Sequence, residues 1–230
     1  MTPEILYKSE NAIVIYKPPL MPSQSDESGD KDALSLTSEM MRSMGEREEL
    51  YLINRLDKVV SGLMVFARNK GYAKKLSSIL ADDLFSKEYF AVCDGVVDEG
   101  EMTDWLTKDS TIGKAIVCDK DRPGAKKAIL DLELVETVLY NGKEKSLVHI
   151  KLKTGRFHQI RAQLSSRGAP LTGDKKYGSR DFRVRQPALF AYHLLALVDN
   201  EKIEAKRLPD TDKYPWNLFS VEKYNGKMEE

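Results

Sequence analysis

The apolar positions partition this chain into short elements. Ile13, Val14 and Ile15 form a β-branched run within Glu4 to Lys17, which predicts one or two short strands stopped by Pro18-Pro19. Pro22 to Asp32 is rich in Ser, Asp and Gly and predicts a loop. Leu34 to Met44 carries its apolar residues at helical spacing. Leu50 to Ile53 predicts a strand that runs into a turn over Asn54 to Ser61, and Gly62 to Ala67 is a strongly apolar strand. Asn69 is placed to cap a helix in which Tyr72, Leu76, Ile79 and Leu80 recur at i, i+4, i+7 and i+8, with Lys70 and Lys74 together on another face. Tyr89 to Val97, Ile129 to Val138 and Ser146 to Lys153 predict three more strands. Phe157 to Ser166 predicts a helix ended by Gly168 at C′, and Ala188 to Asp199 a last long strand. There is no internal repeat. Strands joined mostly by turns or short loops, with helices scattered between them, predict an α+β fold around a mixed, largely antiparallel sheet.

At 230 residues, 41% of them hydrophobic and 31% charged, the chain can bury a core beneath a well-solvated surface, and one domain over residues 1–230 is expected. Its long apolar runs, such as Ala188 to Val198, are interrupted and fall short of a membrane span of about 20 residues. Met1 to Ser9 has no apolar signal core. Cys93 and Cys118 make neither a disulfide framework nor a metal cluster, and His149, His158 and His193 lack ligand spacing. A cytoplasmic protein without a metal or membrane partner is the expectation. Net charge is zero but unevenly spread. Residues 1–50 hold ten acids and five bases, whereas residues 151–185 hold ten bases and two acids. The second segment fits either a polyanion site or a solvated face.

Two segments bear candidate chemistry. In Asn54-Arg55-Leu56-Asp57-Lys58 an aspartate flanked by bases stands between apolar strands, where it is either an ordinary turn residue or a carboxylate delivered to a cleft. In Gly155-Arg156-Phe157-His158-Gln159-Ile160-Arg161, His158 and Arg161 share a helix face after a glycine turn. That face suits phosphate or a carboxylate, or is simply a charged surface.

Together they resemble the RluA-type pseudouridine synthases, in which Arg-Leu-Asp-x-x-x-Ser-Gly-Leu is followed about a hundred residues later by Gly-Arg-x-His-Gln-Ile-Arg. Tyr16-Lys17-Pro18, Lys87-Glu88-Tyr89-Phe90-Ala91-Val92, Gly124 to Ala128 and Pro170-Leu171-Thr172-Gly173-Asp174-Lys175-Lys176-Tyr177-Gly178 resemble further motifs of that family, so the likeness runs from about Ile5 to Phe219. The departures are Asn54 and Val60 for a His and a Thr, Pro19-Leu20 for a small residue and Gly, and Phe190 for a His. The S4-type RNA-binding module that precedes many relatives has no counterpart here, so a stand-alone catalytic domain is expected.

The resemblance implies isomerisation of uridine to pseudouridine in ribosomal or transfer RNA, by a monomer without a cofactor. It makes Asp57 the catalytic carboxylate, as nucleophile at C1′ or as base toward a sugar proton. Arg161 becomes the cation that keeps it ionised, with Arg156 as competitor, and Tyr89 the residue against the target base. Arg55, Arg156, His158, Gln159, Lys175 and Lys176 are the implied substrate-binding residues. Lys70, Lys74 and Lys75 are added as phosphate contacts by charge alone. Two other readings compete. One is an RNA-binding or ribosome-assembly protein that keeps the fold without the chemistry. The other is a hydrolase using Asp57 with His158.

Overall fold

A computed structural model describes residues 2–27 and 29–227. Met1, and Ser28 of the expected Pro22 to Asp32 loop, lie outside the described residues. The chain divides into two compact units, residues 1–87 with 191–207, and residues 88–190 with 208–230.

In the first unit, β1 (Glu4–Lys8) pairs antiparallel with β2 (Ala12–Lys17), and β2 with β4 (Ser61–Ala67). The two-residue β3 (Tyr51–Leu52) also pairs with β4. Next to β4 lies β10 (Leu189–Val198), which turns at Asp199 into β11 (Glu201–Lys206). Helix α1 (Ala33–Ser43) is capped by Asp32, whose carboxylate accepts the Ser35 N–H. Helix α2 (Lys70–Ser78) starts as the sequence predicts, with Asn69 Oδ1 accepting the Tyr72 N–H at 2.8 Å. Its Tyr72 and Leu76 pack on Val14, Leu63, Val65 and Leu194 in an apolar core. The second residue of β4, Gly62, has to be a glycine. Its φ is +130°, and a Cβ there would meet the Ala191 carbonyl oxygen at 2.3 Å. A side chain at this crossing would have to displace backbone.

In the second unit the strand order is β5 (Phe85–Asp94), β9 (Lys143–Leu152), β8 (Lys126–Tyr140), β6 (Gly100–Asp109) and β7 (Lys114–Cys118). These ladders too are antiparallel. Helix α3 (Gln159–Ser166) ends at Gly168, φ +79°, where the Ala169 N–H returns to the Leu164 carbonyl. Ala162 of α3 packs with Leu106, Ala115, Ala128 and Tyr177. Helix α4 is Val221–Lys227. The fold is thus α+β with largely antiparallel pairing, as expected. Among the described residues no helix is long and apolar enough to cross a membrane.

Candidate active site

Asp57 belongs to the first unit, on the loop between β3 and β4, and is half-buried beside an exposed Arg55. The loop has little regular structure, so its shape depends on side chains that satisfy its backbone. The Val60 N–H donates to the Asp57 carbonyl at 3.0 Å, closing a tight turn. Asn54 fastens the loop to β4, its Oδ1 accepting the Val65 N–H at 2.8 Å. The buried Ser23 hydroxyl donates to the Leu56 carbonyl at 2.7 Å and accepts the Leu56 N–H at 3.0 Å.

Lys17 holds the other side. It is fully buried, and its ammonium donates to the carbonyls of Pro18 (3.0 Å), Met21 (2.8 Å) and Lys58 (3.3 Å). Three acceptors match the three hydrogens of an ammonium. Burial nevertheless drives its pKa down to about 7, against the opposing pull of the Asp57 carboxylate. Charged and neutral forms are therefore near balance at neutral pH. Through its bond to the Lys58 carbonyl, Lys17 steadies the carboxylate's loop, and in its charged form it contributes positive potential there.

The second unit holds Tyr89 and Arg161. Tyr89 is buried on β5 opposite Ile150 of β9. Arg161 is buried in the first turn of α3 and is gripped bidentately by Asp174, Nε to Oδ2 at 2.7 Å and Nη2 to Oδ1 at 2.9 Å. Its guanidinium also lies 5.0 Å from the centre of the Tyr177 ring. Asp174 and Tyr177 come from the Pro170–Gly178 loop. The turn at Gly173 has φ +82°, and a Cβ there would meet the Gln186 carbonyl oxygen at 2.5 Å. The Tyr177 hydroxyl accepts the Ala115 N–H at 2.7 Å and lies 3.0 Å from His158 Nδ1.

His158 stands just ahead of α3 with φ +50° and stacks on Phe157 at 3.8 Å. Burial and the neighbouring Arg161 push its pKa down to about 3, so it is a neutral imidazole. Gln159 is buried. Its Oε1 accepts from the Thr154 hydroxyl (2.8 Å) and the Arg156 N–H (3.0 Å), and its Nε2 donates to the Ile129 carbonyl (3.0 Å), so its side chain shapes the glycine turn. Arg156 is exposed, with Nε on the Lys127 carbonyl at 2.8 Å. Lys175 and Lys176 are exposed, and Lys176 Nζ donates to the Gly113 carbonyl at 2.8 Å. In the first unit Lys75 pairs with Asp199.

The basic segment is partly neutralised by folding. Lys153 pairs with Glu101 and Asp131, Arg161 with Asp174, Arg167 with Asp104, and Arg183 with Asp181. Lys17, Ser23, Asp174 and Tyr177 shape the site without being expected to from the sequence. Lys17, Asp174 and Tyr177 fall within family-like motifs, whereas Ser23 has no local signal.

A profile of the family described as RNA pseudouridylate synthase matches residues 11–166. Among curated proteins, the uncharacterized RNA pseudouridine synthase YhcT of Bacillus subtilis is 30% identical over 84% of this chain and 64% of its own length. The ribosomal large subunit pseudouridine synthase C of Rickettsia bellii is 30% identical over 93% of this chain and 69% of its own. The chain thus spans about two thirds of the length of the relatives it matches. Among solved structures, human RNA pseudouridylate synthase domain containing 1 superimposes with a TM-score of 0.75 at 25% identity, over 99% of this chain and 95% of that one. Sequence profile, relatives and superposition agree, and the chain belongs to the RNA pseudouridylate synthase family.

Proposed function

We propose that this chain isomerises uridine to pseudouridine in RNA, with Asp57 as the reacting carboxylate. The observation that carries the reading is the presentation of Asp57. A half-buried carboxylate sits on a loop fastened by the buried Ser23 and Lys17, within the segment that carries the family's Arg-Leu-Asp pattern. In the reaction the N1–C1′ bond breaks, the uracil turns, a C5–C1′ bond forms, and the C5 proton leaves while N1 regains one. Asp57 serves as nucleophile at C1′ or as base toward the sugar. Arg161, oriented by Asp174 and Tyr177, offers the fixed guanidinium that an ionised carboxylate or a phosphate needs, and Tyr89 lies against the base. The two units work as one catalytic domain, a monomer acting in the cytoplasm. The names of several relatives favour ribosomal RNA as substrate, with transfer RNA the other candidate.

The test is release of tritium from RNA labelled at uridine C5, since the new bond expels that hydrogen. Asp57→Asn keeps shape and removes both nucleophile and base. Wild-type release with a loss of at least about a thousandfold in the variant, at unchanged melting temperature, supports the reading. Equal release from both removes Asp57 from the mechanism. Tight RNA binding without release from wild type favours a binding protein that has kept the fold.

A further inference from the structure

The second unit carries a feature that the isomerisation does not use. Phe182 is 68% exposed, the second most exposed large apolar side chain among the described residues, yet its neighbours are held firmly. The Asp181 carboxylate accepts from the Arg183 N–H (3.1 Å), from Arg183 Nε (3.0 Å) and Nη2 (2.6 Å), and from the Tyr214 hydroxyl, and pairs with Lys145 at 3.0 Å. Lys145 is buried and also bonds Asp94 at 2.6 Å and Thr172 at 3.1 Å. The Arg183 guanidinium lies 4.3 Å from the Tyr214 ring centre and 4.7 Å from that of Tyr140. A slack loop would let an apolar ring fold inward. Here the residues on both sides of Phe182 are anchored by an ion network, and the ring is left in water.

The surroundings specify what would cover it. Phe182 lines a cavity of about 960 Å³ with Tyr140, Lys143, Arg180 and Arg183 in its wall. That is within the roughly 300–1,000 Å³ range of ligand sites. Lys175 Nζ stands 4.8 Å from the Phe182 ring centre. Lys143, Lys175, Arg180 and Arg185 are exposed and form no ion pair among the described residues. A largely exposed aromatic ring with Lys143 and Arg180 beside it matches the two faces of a nucleotide, a flat base and an anionic phosphate. We propose that Phe182 and this cavity form a stacking subsite for a base of the RNA substrate other than the isomerised uridine, with Lys143 and Arg180 on its phosphates. The assignment rests on the RNA-isomerase reading above.

The full chain is titrated with fluorescein-labelled oligouridine of about 12 nucleotides, and separately with inorganic polyphosphate, which has charge but no bases. Phe182→Ala should weaken oligouridine binding roughly 5- to 100-fold, the contribution of one stacked base. Polyphosphate binding should stay within about twofold, and Phe182→Trp should bind oligouridine like wild type. In the tritium assay Phe182→Ala should raise KM and leave kcat near wild type. Because the ring is exposed, its removal leaves the fold intact, which a melting curve checks. Unchanged oligouridine affinity and KM in Phe182→Ala would overturn the subsite while active wild type leaves the isomerase reading standing. An equal loss toward polyphosphate would also overturn it, by showing that no base is recognised. A wild type that neither binds oligouridine nor releases tritium sinks both.

Discussion

Lys17→Met separates the charge of the buried lysine from its bulk, and the result depends on pH in a calculable way. The folded Lys17 ammonium loses its proton near pH 7, whereas an unfolded lysine holds it to its ordinary value of 10.5. Between those values the unfolded chain binds more protons, so stability rises with pH in that window and the cost of the buried charge is fully present below it. The whole interval corresponds to about 5 kcal/mol, and the part recovered between about pH 6 and pH 9 is roughly 2–3 kcal/mol. Methionine has no proton to lose. The stability of wild type minus that of Lys17→Met should therefore grow by roughly 2–3 kcal/mol from about pH 6 to pH 9. Lys87, also buried and with its pKa lowered by burial, is common to both proteins and cancels in the difference. Urea unfolding at several pH values measures it, provided the m-values agree. At high pH the variant should be the less stable protein, because the Pro18, Met21 and Lys58 carbonyls lose their shared donor. A difference that stays flat across the range would refute the reasoning and mean that Lys17 keeps its proton throughout.

Three further outcomes are expected. Asp174→Asn removes the charge that grips Arg161 inside the fold and should cost about 3–5 kcal/mol, read as a fall in thermal midpoint with a loss of tritium release. Tyr89→Phe keeps the ring and should bind RNA as wild type does while kcat falls by about a hundredfold or more, and normal turnover would deny the hydroxyl any chemical part. RNA affinity should fall steeply with salt, and reversing Lys175 and Lys176 to Glu should reduce the slope of log affinity on log salt by about two, whereas a flat dependence would rule out a phosphate-binding surface.

Much of the fold was legible where one face of an element is buried and the other wet. Asn69 and the Tyr72–Leu76 spacing located α2 because capping and amphipathicity are both local. The hairpin of β6 and β7 left little trace, since Glu101, Thr103 and Lys108 of β6 are exposed and β7 is an apolar run of only four residues after Lys114. Strand β11 was hidden likewise, Glu-Lys-Ile-Glu-Ala-Lys reading as a charged loop until its pairing with β10 is seen. Helix α3 begins at Gln159 rather than Phe157 because His158 takes a left-handed conformation that its residue type does not announce. At the candidate site the motif residues stood out, but their supports did not. Ser23 meets Leu56 across 33 residues of chain, and Tyr177 meets Ala115 across 62. Such pairings are created by tertiary structure and have no local pattern.

The Gly62 crossing offers a ruler for comparing relatives. Where two strands touch through main chain alone, their separation cannot drift by the usual exchange of small side chains for larger ones. Position 62 lies five residues after Asp57, so the take-off point of the aspartate loop inherits that fixed spacing. A chain with the aspartate pattern but a bulkier residue at this point must have pushed its strands apart. Its carboxylate would then leave the sheet from a different height, whatever the remaining motifs say.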